Sequence, residues 1–205
     1  MRHSSGRWPA AVVAAGVLLA ASGCGTRHEA TQPARPVAEP SALITVPSAQ
    51  PLPPGRPGTP PVPLPDPQKV DGADPDAVSR AAVTVMWTMD TTIDTSQYQA
   101  ELRAAPYLTA DYAARLRQYP PVAAPGAQWN QWAAHRAYTT VRLTPGYDDR
   151  PLDTATTAHR QWSVTATPIG RDGWRGQPVT ATVFVTLTRT GPGQPWRVAA
   201  VTVAP

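Results

Sequence analysis

His135 and His159 are the two histidines in the part of this chain with globular composition; His3 lies in its leader and His28 in a proline-rich stretch. A zinc site needs a second ligand at short, fixed spacing, and neither "AAHRAY" nor "TAHRQW" supplies one. Both histidines precede an arginine and read as rim residues, so no metal is expected. Asp148, Asp149 and Asp153 in "GYDDRPLDT" form a local acidic cluster of the kind that can do acid–base work or ligate calcium. Flanked by Gly146 and Pro151, they read as solvated turn residues. No G-x-S-x-G elbow, no phosphate-binding glycine loop and no nucleophile beside a base is present, so the expectation is no catalytic residue, no cofactor and no enzyme. One further reactive group remains. Cys24 is the only cysteine, and a single thiol cannot close an internal disulfide.

What surrounds Cys24 gives it a use. "MRHSSGRW" carries Arg2 and Arg7 without an acid, and "PAAVVAAGVLLAASG" follows as an apolar run of small residues. That run is about fifteen residues, the length of a signal-peptide core and short of the ~20 a bilayer-spanning helix needs. Ala21-Ser22-Gly23 then leads directly into Cys24. The sequence resembles the lipobox of bacterial lipoproteins, with Ala21 where leucine is commonest. The resemblance implies that residues 1–23 are a lipoprotein signal peptide and that Cys24 is acylated as the first mature residue. The expected location is then the extracytoplasmic face of a cell membrane, with the membrane as partner through the lipid. The alternative is ordinary cleavage and a secreted form with a free thiol.

From residue 24 to 74 the composition changes. Fourteen of the 26 prolines fall between Pro33 and Pro75, in runs such as "PLPPGRPGTPPVPLPDP". Proline fixes its own φ, removes an amide donor and pushes its neighbour into extended geometry, so residues 24–74 read as a disordered, polyproline-like stalk. At ~3.1 Å per residue such a stalk reaches about 150 Å. A docking tract for proline-binding modules is the rival reading.

Residues 75–205 are enough for one compact domain. Twelve arginines stand against nine acids there, scattered, with Lys69 the only lysine of the whole chain. No run of cations interleaved with aromatics occurs, and no nucleic-acid partner is expected. "DPDAVSRAAVTVMWTMD" starts a helix with Asp74 as cap and Pro75 at its first position, and places Val78, Ala82, Val85, Met86 and Met89 on one face. "TSQYQAELRAAPYL" and "TADYAARLRQYPP" read as two more helices, capped by Thr95 or Ser96 and by Thr109. The pattern then changes to period two. "AYTTVRLTP", "RQWSVTATPI", "VTATVFVTLTR" and "PWRVAAVTV" alternate apolar residues with threonine, predicting four strands with one wet face and one covered face, hence antiparallel. Three helices before a four-stranded meander is an α+β arrangement with helices packed on one sheet face.

That order of elements, with Trp196-Arg197-Val198 opening the last strand and Trp87 in the first helix, resembles the cone-shaped domains of the nuclear transport factor superfamily. Together with the leader and the stalk, it is similar to actinobacterial periplasmic domains of conjugative type IV secretion proteins and of Mce-associated proteins. The resemblance implies helices on a curved sheet, partners within a cell-envelope complex and no transferable catalytic signature. It also implies that a pocket can lie between helices and sheet. Asp90, Tyr98, His135 and Tyr138 would be the acid–base candidates in it, and Trp87, Trp129, Trp132 and Trp162 an apolar lining. The candidate pocket is accordingly Trp87, Tyr98, Trp132, His135, Tyr138 and Trp162, holding a small apolar or peptidic ligand. The alternative is that the tryptophans are simply core. Two functions stay in view: an interaction or assembly domain of an envelope machine, conjugation or secretion related, and a surface ligand-binding protein.

Overall fold

The computed structural model describes residues 53–146 and 150–204. The leader, Cys24, His3, His28, the first half of the stalk and the Asp148-Asp149 pair lie outside them.

The first helix, α1 (Pro75–Trp87), begins as its sequence dictates. Asp74 sits in extended geometry and its carboxylate accepts the Asp76 N–H, with Pro75 at the first helical position. It ends at Trp87, two residues short of the expected Met89, with Thr88 as its cap, whose hydroxyl donates back to the Thr84 carbonyl. Met89 therefore leaves the face it was expected to share. Helix α2 (Gln97–Arg103) opens on a capping box in which Ser96 and Gln99 satisfy each other's backbone. A single 3₁₀ turn (Ala105–Tyr107) carries Pro106, and α3 (Ala110–Gln118) is capped by Thr109. A fourth helix, α4 (Ala127–Ala134), is a correction to the three expected. It has no side-chain cap and holds its place through Trp132, 6% exposed.

Four strands follow: β1 (Tyr138–Pro145), β2 (Thr157–Ile169), β3 (Val179–Thr188) and β4 (Arg197–Ala204). They form one antiparallel sheet in the order β1-β2-β3-β4. Alternation sets the register: Val164 faces Ala181 and Trp162 faces Val183, all on the covered side. Between β3 and β4 the register shifts at Thr186/Leu187, which leaves Ala199 as the extra residue. This bulge lets Val198 and Val201 both turn toward the helices and bends the strand. Helix α1 lies across the sheet, and Val78, Ala82, Val85 and Met86 meet Trp162, Val183, Val185, Leu187 and Val198 in one apolar core.

The expected domain boundary at Pro75 requires correction. Residues 53–74 lie against the domain, with Leu64 and Val70 packed on the core and Pro60 buried. The physical reason is that proline lacks an N–H but keeps its carbonyl. Donors of the domain bond carbonyls along this segment, two of them from proline: the Thr95 hydroxyl bonds Pro53 O at 2.8 Å, the Tyr107 hydroxyl bonds Pro65 O at 2.8 Å, and the Trp196 N–H bonds Gly72 O at 2.8 Å. Gly55 permits a close approach, since a Cβ there would meet Ile93 O at 2.7 Å. Limited proteolysis of the full chain should therefore leave a first resistant fragment beginning near Pro53. A first stable fragment beginning at Pro75 would show that the segment is not held.

Candidate functional site

The six candidate pocket residues do not line one cavity; they fall into three environments. Trp87 and Trp162, 6% and 2% exposed, belong to the main core. The Trp162 indole N–H donates to Ser79 Oγ at 3.1 Å, and the Arg80 guanidinium lies 4.4 Å from its ring centroid. Tyr98 sits between α2 and α3, where its hydroxyl donates to Leu116 O at 2.8 Å. Beside it is Glu101, which burial pushes above the ordinary glutamate range. Trp132 joins a separate small cluster with Met89, Ala100 and Ala137. His135 and Tyr138 lie at that same end, and there the structure assembles a polar knot that sequence spacing did not reveal.

The knot is built on the turn after α1. Asp90 and Asp94, 1% and 4% exposed, are four residues apart in a non-helical turn closed by the Ile93 and Asp94 N–H groups bonding Asp90 O. Arg171 reaches Asp90 with both terminal nitrogens, at 3.0 and 2.7 Å, and Thr92 donates to it from backbone and hydroxyl. Burial pushes the Asp90 carboxyl up, but these hydrogen bonds and the Arg171 charge more than offset that and hold it below the usual aspartate value. Asp94 is held by Arg103, which also donates to Thr88 O at 2.7 Å. Thr139 ties the turn to β1, donating to Trp87 O and accepting the Met89 N–H.

Around this knot, Tyr138 lies under the Arg171 guanidinium at 5.5 Å. His135 stacks on Trp174 with centroids 4.3 Å apart, and its Nδ1 pairs with Asp172 at 2.7 Å. That pair holds the Asp172 carboxyl below its ordinary value. Of the acid–base candidates, Asp90 is thus consumed by an ion pair and His135 by a rim carboxylate. Asp153 of the acidic cluster is turned onto Arg160 at 2.8 Å. Arg103 and Arg171, each bound to an acid of the turn, were missed because nothing in the spacing of scattered arginines marks which of them will meet a carboxylate, Asp94 nine residues from Arg103 or Asp90 81 residues from Arg171.

The other surface of note is the outer face of the sheet. From it project Thr140, Ser163, Thr165, Thr182 and Thr186, with Phe184 at the centre and 42% exposed. No strand contains a single acidic residue, and the charges of this face are Arg142 and Arg197 toward the sheet's two edges, with His159. Among the described residues the rim of β4 is hydrogen-bonded from outside the sheet at its start, where the Thr109 N–H bonds Val198 O and Arg115 bonds Ala199 O. Val203, further along it, is 50% exposed. Among the described residues no helix is long and apolar enough to cross a membrane.

No protein-family model matches the chain, and no curated protein matches it. Among solved structures it is distantly similar to an IcmL-like type IV secretion system protein of Legionella pneumophila subsp. pneumophila strain Philadelphia 1. The identity is 18%, the match covers 62% of this chain and 88% of that one, and the TM-score is 0.42.

Proposed function

We propose that this chain is a lipid-anchored interaction domain, held at the outer side of a cell membrane through Cys24 and acting as an assembly component of an envelope complex. The observation that carries the interaction part is the outer sheet face: rich in threonine, without an acidic residue on its strands and centred on the exposed Phe184. Interface centres are depleted in charge and enriched in aromatic rings, because desolvating a carboxylate without a partner is costly. A protein surface with a neutral centre and an acidic margin fits it, since Arg142 and Arg197 flank the threonines. The anchor rests on the leader sequence, and the conjugation or secretion setting rests on the order of elements. The ligand-binding alternative has less support, because its six residues share no cavity.

A photo-crosslinking side chain placed at position 184 should trap an envelope protein in the native host. Thr182→Asp and Thr186→Asp should weaken that crosslink while leaving the thermal midpoint within about 2 °C, as expected for substitutions on a solvated face. If position 184 crosslinks no more than exposed Arg117 on α3, the outer face is not the docking surface.

A further inference from the structure

We infer that the recess beside the Asp90–Asp94 turn is a binding site for a doubly charged oxyanion of the phosphate type. The recess measures about 450 Å³ and is lined by Arg56, the Thr91–Thr95 turn and Arg136. Its charges do not cancel. Asp90 is committed to Arg171 and Asp94 to Arg103, whereas Arg56 and Arg136 have no acidic partner among the described residues and are both exposed. Four cations and two acids leave a surplus of two positive charges.

The hydrogen-bond inventory narrows the occupant further. The hydroxyls of Thr91, Thr92 and Thr95 already donate, to Ala137 O, Asp90 Oδ1 and Pro53 O. The free donors are the two guanidinium forks, whose planar N–H pairs match the oxygens of phosphate or carboxylate. A dianion balances the surplus charge; a monoanionic carboxylate balances half of it.

An independent observation concerns the backbone of Arg136. Helix α4 ends in a Schellman motif, with the Arg136 N–H on Ala133 O and the Ala137 N–H on Trp132 O. The residue after the cap must then be left-handed, and Arg136 has φ 49°, the one non-glycine residue with positive φ among those described. Glycine is the usual occupant there because it pays no steric penalty. An arginine held in that conformation is a destabilising choice, and such choices gather where a side chain has work to do. Arg56, for its part, is brought in by the docked segment and fixed by its own N–H on Ile93 O at 2.6 Å. The site is thus composite, one cation from the segment and one from the domain. It uses no residue of the outer sheet face and stands apart from the function proposed above.

The test is a thermal titration of the full chain with sodium phosphate against sodium chloride at matched ionic strength. Phosphate should raise the midpoint saturably and acetate less so. Arg136→Gly should raise the midpoint in chloride, by relieving the left-handed strain, and yet weaken phosphate binding at least tenfold. Arg56→Gln should weaken it as much with little change in chloride, and Arg117→Gln should leave it intact. Phosphate shifts equal to those of chloride, or unaltered by both Arg56→Gln and Arg136→Gly, overturn the proposal. Vesicle pelleting with the Cys24→Ser chain, on phosphatidylcholine vesicles with and without phosphatidic acid, whose phosphomonoester carries up to two negative charges, separates the sources. Anionic-vesicle binding lost in Arg56→Gln assigns a lipid headgroup, and phosphate binding without vesicle binding assigns a soluble anion.

Discussion

Trp162→Ala is expected to destabilise the domain by about 3–5 kcal/mol, a large share of the ~5–15 kcal/mol that a domain possesses. The indole is 2% exposed and stands opposite Val183 in register, with Ser79 and Arg80 of α1 against it. Removing it opens a void at the junction of helix and sheet, and two packed layers cannot close over it without moving the helix. Trp162→Phe isolates the polar part of the effect. It keeps most of the apolar area but takes the donor from Ser79 Oγ, which still donates to Asp76 O, so about 1 kcal/mol is expected. Urea unfolding of both variants measures the difference. A cost below about 1.5 kcal/mol for alanine would mean that the ring lines a space that solvent or a ligand already fills.

The second large effect is expected at Arg171. Arg171→Leu leaves Asp90, 1% exposed, without its counter-ion, and breaking a buried pair from one side costs about 3 kcal/mol, the low end of the usual range because the Arg171 side chain keeps 28% exposure. The pH dependence identifies the cause. In the wild type the Asp90 carboxyl is held below its unfolded value of 3.8, so its contribution is complete above that pH and is lost as pH falls through the lower folded value. Without Arg171 the burial that pushes the carboxyl up has lost its main opponent. The variant then gains relative to wild type as acid protonates Asp90. The gap between the two urea midpoints should therefore shrink as pH is lowered from 7 toward 4. A gap independent of pH would assign the loss to packing.

How far the sequence showed all this depends on how local each determinant is. The strands were legible because β3 alternates Val, Ala and Leu with threonine, a pattern that survives any tertiary context. Asp74 and Thr109 were legible as caps because each acts within three residues of itself. Helix α4 was not, since it spans eight residues, lacks a side-chain cap and is followed, after its cap His135, by Arg136 where the stop signal would be glycine. The docked segment was hidden for another reason. Proline density argues against helix and sheet, and residues 53–74 form neither, but a chain without regular structure can still pack. The candidate pocket failed because one-dimensional spacing tells which residues are apolar and not which layer they enter. Trp87 went to the main core and Trp132 to a separate cluster, although both read as aromatic lining.

The way residues 53–74 are held has a mechanical side. Their hydrogen bonds at Pro53, Arg56, Pro65 and Gly72 are strung out along the segment, so a pull from its N-terminal end loads them in series, one after another, rather than together as in a sheared sheet. Twenty-two residues at ~3.1 Å each reach at most about 70 Å when extended, and the part of that length not already spanned by the docked segment can pay out before any force reaches α1. The first contacts to part are those of Pro53 and then Arg56. Tension on the tether would thus empty one side of the oxyanion recess while the domain itself stayed folded, which makes the segment a ripcord as well as a strap.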